Sequence, residues 1–73
     1  MPKLHSSRKI VKSLIRIGFE VTTQKGSHIK LRREFKGKVY TAIVPNHKEV
    51  AMGTLQSILK QAGITKKELE ANI

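Results

Sequence analysis

Three short runs of alternating, β-prone residues follow one another with almost no chain between them, and that spacing limits the fold severely. Phe19–Gln24, Ser27–Arg33 and Lys38–Val44 are rich in Val, Thr, Ile, Phe and Tyr, residues that suit a pleated, half-buried surface. Lys25-Gly26 separates the first two runs, and Glu34-Phe35-Lys36-Gly37 the last two. Parallel neighbours need a crossover of about a dozen residues, so these runs pair only as an antiparallel meander. In the middle run Ile29 and Leu31 share one face, with His28, Lys30 and Arg32 on the other. The last run is apolar on both faces, which leaves its inward side open. Pro45 ends it, because proline has no N–H for the ladder.

A helix stands on either side of this meander. Ser6-Ser7 offers an N-cap, and Ile10, Val11, Leu14 and Ile15 follow at the spacing of one apolar helical face. Arg8, Lys12 and Arg16 recur on the opposite side, and Gly18 fits the position that closes a helix. After a loop over 46–50, Thr54–Ala62 places Leu55, Ile58, Leu59 and Ala62 on one face, with Gly63 as its stop. Thr65 and Glu68 have the capping-box spacing and begin a short third helix. The expectation is one α+β domain over residues 1–73, ordered αβββα, with two helices packed on one face of a three-stranded antiparallel sheet. The other face is left for solvent or a partner.

Size and composition exclude several chemistries. Seventy-three residues with 38% hydrophobic content make one thin core between two layers rather than a deep substrate cavity. The absence of cysteine removes disulfides, thiolate zinc sites and a cysteine nucleophile, and suits a reducing cytoplasm. No apolar run approaches a bilayer span, and the N-terminal stretch MPKLHSSRK has no apolar segment of the kind a signal peptide carries. The net charge is +10, and residues 1–48 account for all of it, with twelve basic residues against Glu20 and Glu34. Residues 49–73 are neutral, three lysines balancing Glu49, Glu68 and Glu70. Charge concentrated in this way points to one positive face and a polyanionic partner. Nucleic acid, an anionic membrane or an acidic protein would all be drawn by the same field, and a well-solvated basic surface is the plainer alternative to a polyanion partner.

His28 is the residue best placed for chemistry. It shares a face with Lys30 and Arg32 beside a turn where Gly26 permits close backbone approach, and lysine and arginine hold phosphate. Free imidazole titrates at about 6.5, so a histidine can both take and give a proton near neutrality. RNA strand scission needs a base for the 2′-OH, cations for the developing charge and an acid for the leaving oxygen. On spacing alone, an exposed strand histidine or a simple phosphate donor is the plainer alternative. Clustered carboxylates for a metal-dependent nuclease are missing, since there is no aspartate and only Glu68 and Glu70 lie close together. His5, His28 and His47 show no zinc spacing. His47, in the loop after the third run, is a candidate second proton-transfer group. Three aromatics, Phe19, Phe35 and Tyr40, are too few for a base-stacking sheet.

Gln24-Lys25-Gly26-Ser27-His28, then Ile43-Val44-Pro45-Asn46-His47, then Gly53-Thr54-Leu55-Gln56-Ser57-Ile58-Leu59-Lys60-Gln61-Ala62-Gly63-Ile64 together resemble the HicA (YcfA-like) toxin family. The likeness runs from about Ile10 to Ile64. It implies a fold like that of double-stranded RNA-binding domains and the toxin half of a type II toxin–antitoxin system. The implied activity is that of a cytoplasmic, metal-independent endoribonuclease that cleaves mRNA without a cofactor. The motif histidine of that family is catalytic and maps onto His28; around it the turn and the strand facing make Lys25, Gly26, Ser27, Lys30 and Arg32 the expected RNA-contacting set. The resemblance also implies a HicB-type antitoxin that covers the site, and a monomeric free toxin. Two features depart from the family pattern: Ile29 follows the histidine where many members have another polar group, and the chain continues into a helix after Thr65. A non-catalytic double-stranded RNA-binding module shares the expected topology. Such modules present a lysine cluster at the start of the last helix, where this chain has Ala51-Met52-Gly53-Thr54. A degenerate toxin that serves only to bind a protein partner is the remaining alternative.

Overall fold

The computed structural model describes residues 4–73; the reading of the N-terminal stretch against a signal peptide rests partly on residues 1–3, which lie outside the described residues. The order is α1 (Ser7–Ile17), β1 (Glu20–Lys25), β2 (His28–Phe35), β3 (Lys38–Pro45), α2 (Met52–Ala62) and α3 (Lys66–Ala71). The strands form one antiparallel sheet in the order β1-β2-β3, the meander that the short connections require. The helices cover one face of it, giving the αβββα arrangement.

The first turn is shifted by one residue from the one the alternation suggested, and the second is shorter. Lys25 pairs with His28 and Phe35 with Lys38, so the two hairpins turn on Gly26-Ser27 and Lys36-Gly37 alone. Gly26 has a φ of +59° at the first turn position, as in a type II′ turn. Lys36 and Gly37 are both positive, at 53° and 76°, as in type I′. These are the turns whose twist matches that of the flanking strands. Phe19 precedes β1 instead of starting it, and is buried.

The core answers the question that β3 left open. Ile29 and Leu31 pair with Val44 and Ala42, and all four are buried under the helices. Tyr40, Ala42 and Val44 therefore face inward, and Val39, Thr41 and Ile43 outward. Helix α1 sends Ile10 and Leu14 into the core, while Val11 and Ile17 pack at its margin. Ile15 is 48% exposed while Ser7 and Ser13 are buried, so the inward face of α1 is rotated away from Ile15 relative to the one the sequence indicated. From α2, Leu55, Ile58, Leu59 and Ala62 are buried, as their spacing predicts. Helix α3 is part of the same core: Leu69 is fully buried, and the buried Ser13 hydroxyl of α1 donates to the Leu69 carbonyl. Among the described residues no helix is long and apolar enough to cross a membrane.

Candidate functional site

The β1–β2 hairpin, the loop after β3 and the start of α1 meet at one end of the sheet, and hydrogen bonds tie them together. The Asn46 N–H donates to the Ser27 carbonyl at 2.7 Å, and the Ser7 N–H to the His47 carbonyl at 3.0 Å. The Ser7 hydroxyl donates to Asn46 Oδ1 at 3.2 Å. His28, the first residue of β2, is set between Lys25 of β1 and Pro45 of β3. Its neighbours on both sides are thus fixed by backbone pairing and by the pinned turn. Its side chain stands on the exposed face of the sheet, as do those of Lys30 and Arg32.

A bulge in β1 decides which side chains join it. Val21 opposes Leu31 and Thr23 opposes Lys30, so Thr22 is an extra residue in the ladder. The Thr22 hydroxyl is anchored to the Lys30 carbonyl at 3.2 Å. Strict alternation from the inward Val21 would have turned Lys25 towards the helices. The bulge reverses that parity and puts Thr23 and Lys25 on the same face as His28.

Thr23, Lys25, His28, Lys30 and Ile43 line one open cleft on this face. A second cleft lies on the far side of the imidazole, where α2 runs beside the outer edge of β3. Of the residues singled out from sequence, Lys25, His28 and Lys30 are brought together. Gly26 and Ser27 form the turn beside them. Arg32 lies two residues further along, outside both clefts, with Nη2 3.7 Å from Glu34 Oε2. Thr23 and Ile43 were not anticipated; Ile43 could not be, because the sequence left the facing of β3 undecided, and nothing marks Thr22 as a bulge.

The other histidines are placed elsewhere. His5 Nε2 lies 3.1 Å from Glu70 Oε2 and ties the N-terminal segment to α3. His47 lines a separate concavity with Ser6, Arg8 and Lys48. Among the described residues, no three His, Asp or Glu side chains cluster as a metal site would require. The site is therefore an exposed imidazole that shares a cleft with two ammonium groups on the open face of the sheet, an arrangement able to bind a phosphodiester and exchange a proton beside it.

Residues 7–64 match the family model described as HicA toxin of bacterial toxin-antitoxin. No curated protein matches the chain.

Proposed function

The chain belongs to the HicA toxin family of bacterial toxin–antitoxin systems, and from that premise we propose that it is a metal-independent endoribonuclease that cleaves mRNA through His28. The observation that carries this reading is the shared cleft of Lys25, His28 and Lys30 on the open face of the sheet. Lys25 and Lys30 hold the phosphate at the cut and offset the charge that builds on it. The His28 imidazole takes the proton from the adjacent 2′-OH. That oxygen bonds to phosphorus, the bond from phosphorus to the 5′-oxygen breaks, and the leaving oxygen is protonated by solvent reaching the open cleft. The products are a 2′,3′-cyclic phosphate and a 5′-hydroxyl. Gly26 and Ser27 shape the turn against which the backbone of the RNA approaches, and Arg32 supplies a more distant phosphate contact. A HicB-type antitoxin would silence the toxin by covering this same face.

His28→Ala is expected to abolish cleavage of a labelled RNA in EDTA near neutral pH, while RNA binding and the fold persist. The loss should reach about 10²–10⁴-fold, the scale of general acid–base assistance. Cleavage that survives in the purified variant would remove His28 from the chemistry. Binding without cleavage by the wild type would favour the non-catalytic module.

A further inference from the structure

The two clefts beside His28 differ in chemistry. The first holds Lys25 and Lys30. The second is lined by Ile43, Pro45, Thr54, Ser57, Ile58 and Gln61 together with His28, and apart from the imidazole it contains no ionisable side chain. Ile43 and Pro45 give it an apolar floor from β3. Thr54, Ser57 and Gln61 give it a polar wall from α2. An anion meets no lysine or arginine on this second side, whereas a neutral, flat, partly apolar group with acceptors on its rim finds both surfaces it needs.

The polar wall is already ordered. Gln61 Oε1 accepts the Ile43 N–H at 3.0 Å, which satisfies a donor on the outer edge of β3. Gln61 Nε2 donates to the Ser57 hydroxyl oxygen at 3.4 Å. Because that oxygen is accepting, the Ser57 proton is free to turn towards the cleft. The Ser57 hydroxyl, lining the cleft beside His28, therefore has a proton to offer a group that enters there.

We propose that this cleft is a nucleobase site: one base of the RNA packs on Ile43 and Pro45, and the Ser57 and Thr54 hydroxyls read its edge. The inference rests on the reading of the His28 face as an RNA site, and it adds a source of sequence preference. A strand of RNA alternates a charged phosphodiester with a neutral heterocycle. A strand crossing His28 therefore places the phosphate among the lysines and the neighbouring base against α2. Preference at the nucleotide beside the cut is then set by Thr54 and Ser57, not by the basic residues of the strands.

The test is an amide-resonance titration of the wild-type protein with a short, uncleavable 2′-fluoro RNA and with the same strand lacking its bases. The base-bearing strand should shift the amides of Thr54, Ser57 and Ile58 as well as those of Lys25 and Lys30. The abasic strand should shift only the lysine side. Thr54→Val with Ser57→Ala should lower affinity for the base-bearing strand by about three- to tenfold, the scale of one or two hydrogen bonds, and leave the abasic strand unaffected. Unmoved α2 amides with the base-bearing strand would overturn the base site. The His28→Ala cleavage assay separately decides the nuclease reading, so base binding by a non-cleaving protein would uphold the cleft and reject only the chemistry. A strand that shifts neither cleft would reject both.

Discussion

Lys30 and Arg32 leave the same face of β2 two residues apart, yet their surroundings give them different weight. Lys30 lines the cleft that contains His28. Arg32 faces Glu34, with 3.7 Å between guanidinium and carboxylate. An exposed pair at that distance contributes little to stability, but it neutralises part of the charge an incoming phosphate would meet. Lys30→Ala is therefore expected to weaken binding of single-stranded RNA by about tenfold, as the loss of one charge-assisted hydrogen bond would. Arg32→Ala should cost no more than about threefold, because its contact is shared with Glu34. Filter-binding titrations at one fixed salt concentration check the order. If Arg32→Ala proved the costlier, the phosphate path would run along β2 towards Glu34 and not across to β1.

At the scale of the elements, two glycines carry contrasting demands. Gly26 needs its φ of +59° for the hairpin, but a Cβ there would meet nothing within 4 Å. Gly63, at φ +69°, ends α2 with the Tyr40 ring against it, and a Cβ would lie 2.5 Å from Tyr40 Cε1. Gly63→Ala combines left-handed strain with overpacking and should destabilise the fold by about 2–4 kcal/mol. Urea denaturation measures this, and the penalty should shrink in a Tyr40→Ala background, where only the backbone term is left. A penalty unchanged by that second substitution would show that the ring is not the obstacle. The same scale explains what could be read in advance. Helix faces, strand order and the shared facing of His28, Lys30 and Arg32 follow from periodicity and turn residues, which are local. Two features are not local: the bulge at Thr22, which swings Lys25 to the side of His28, and the inward turn of Tyr40, Ala42 and Val44. Threonine is as good in a regular strand as in a bulge, and β3 is apolar on both faces. Only pairing with β2 and packing under α2 decide these two outcomes. Helix α3 shows the opposite case, since its Thr65 cap, accepting the Glu68 N–H at 3.1 Å, was evident from four residues. Its burial of Leu69 was not.

For the whole molecule, the uneven charge becomes a spatial division. The net +10 belongs to residues 1–48, which build α1 and the sheet, while α2 and α3 come from the neutral remainder. Among the described residues the positive charge is spread over several surfaces: the open face has Lys25 and Lys30, the outer side of α1 exposes Arg8, Lys12 and Arg16, and Arg33, Lys36 and Lys38 gather by the β2–β3 turn on Phe35 and Tyr40. The molecule measures 18 Å along its shortest axis, whereas screening at physiological salt acts over about 8 Å. A short RNA on the open face should thus release counterions where it touches and feel little of α1. Lys25→Ala with Lys30→Ala is expected to flatten the dependence of log affinity on log salt by about 1.4, roughly 0.7 for each lost phosphate contact on a single strand. Arg8→Ala with Lys12→Ala removes the same net charge and should leave that slope nearly unchanged for a strand too short to reach round the sheet. Parallel titrations across a range of salt concentrations separate contact from field, because the two variants differ only in where the charge was lost. Equal flattening in both would mean that RNA responds to the charge of the molecule as a whole. The face around His28 would then have no privileged claim on the strand.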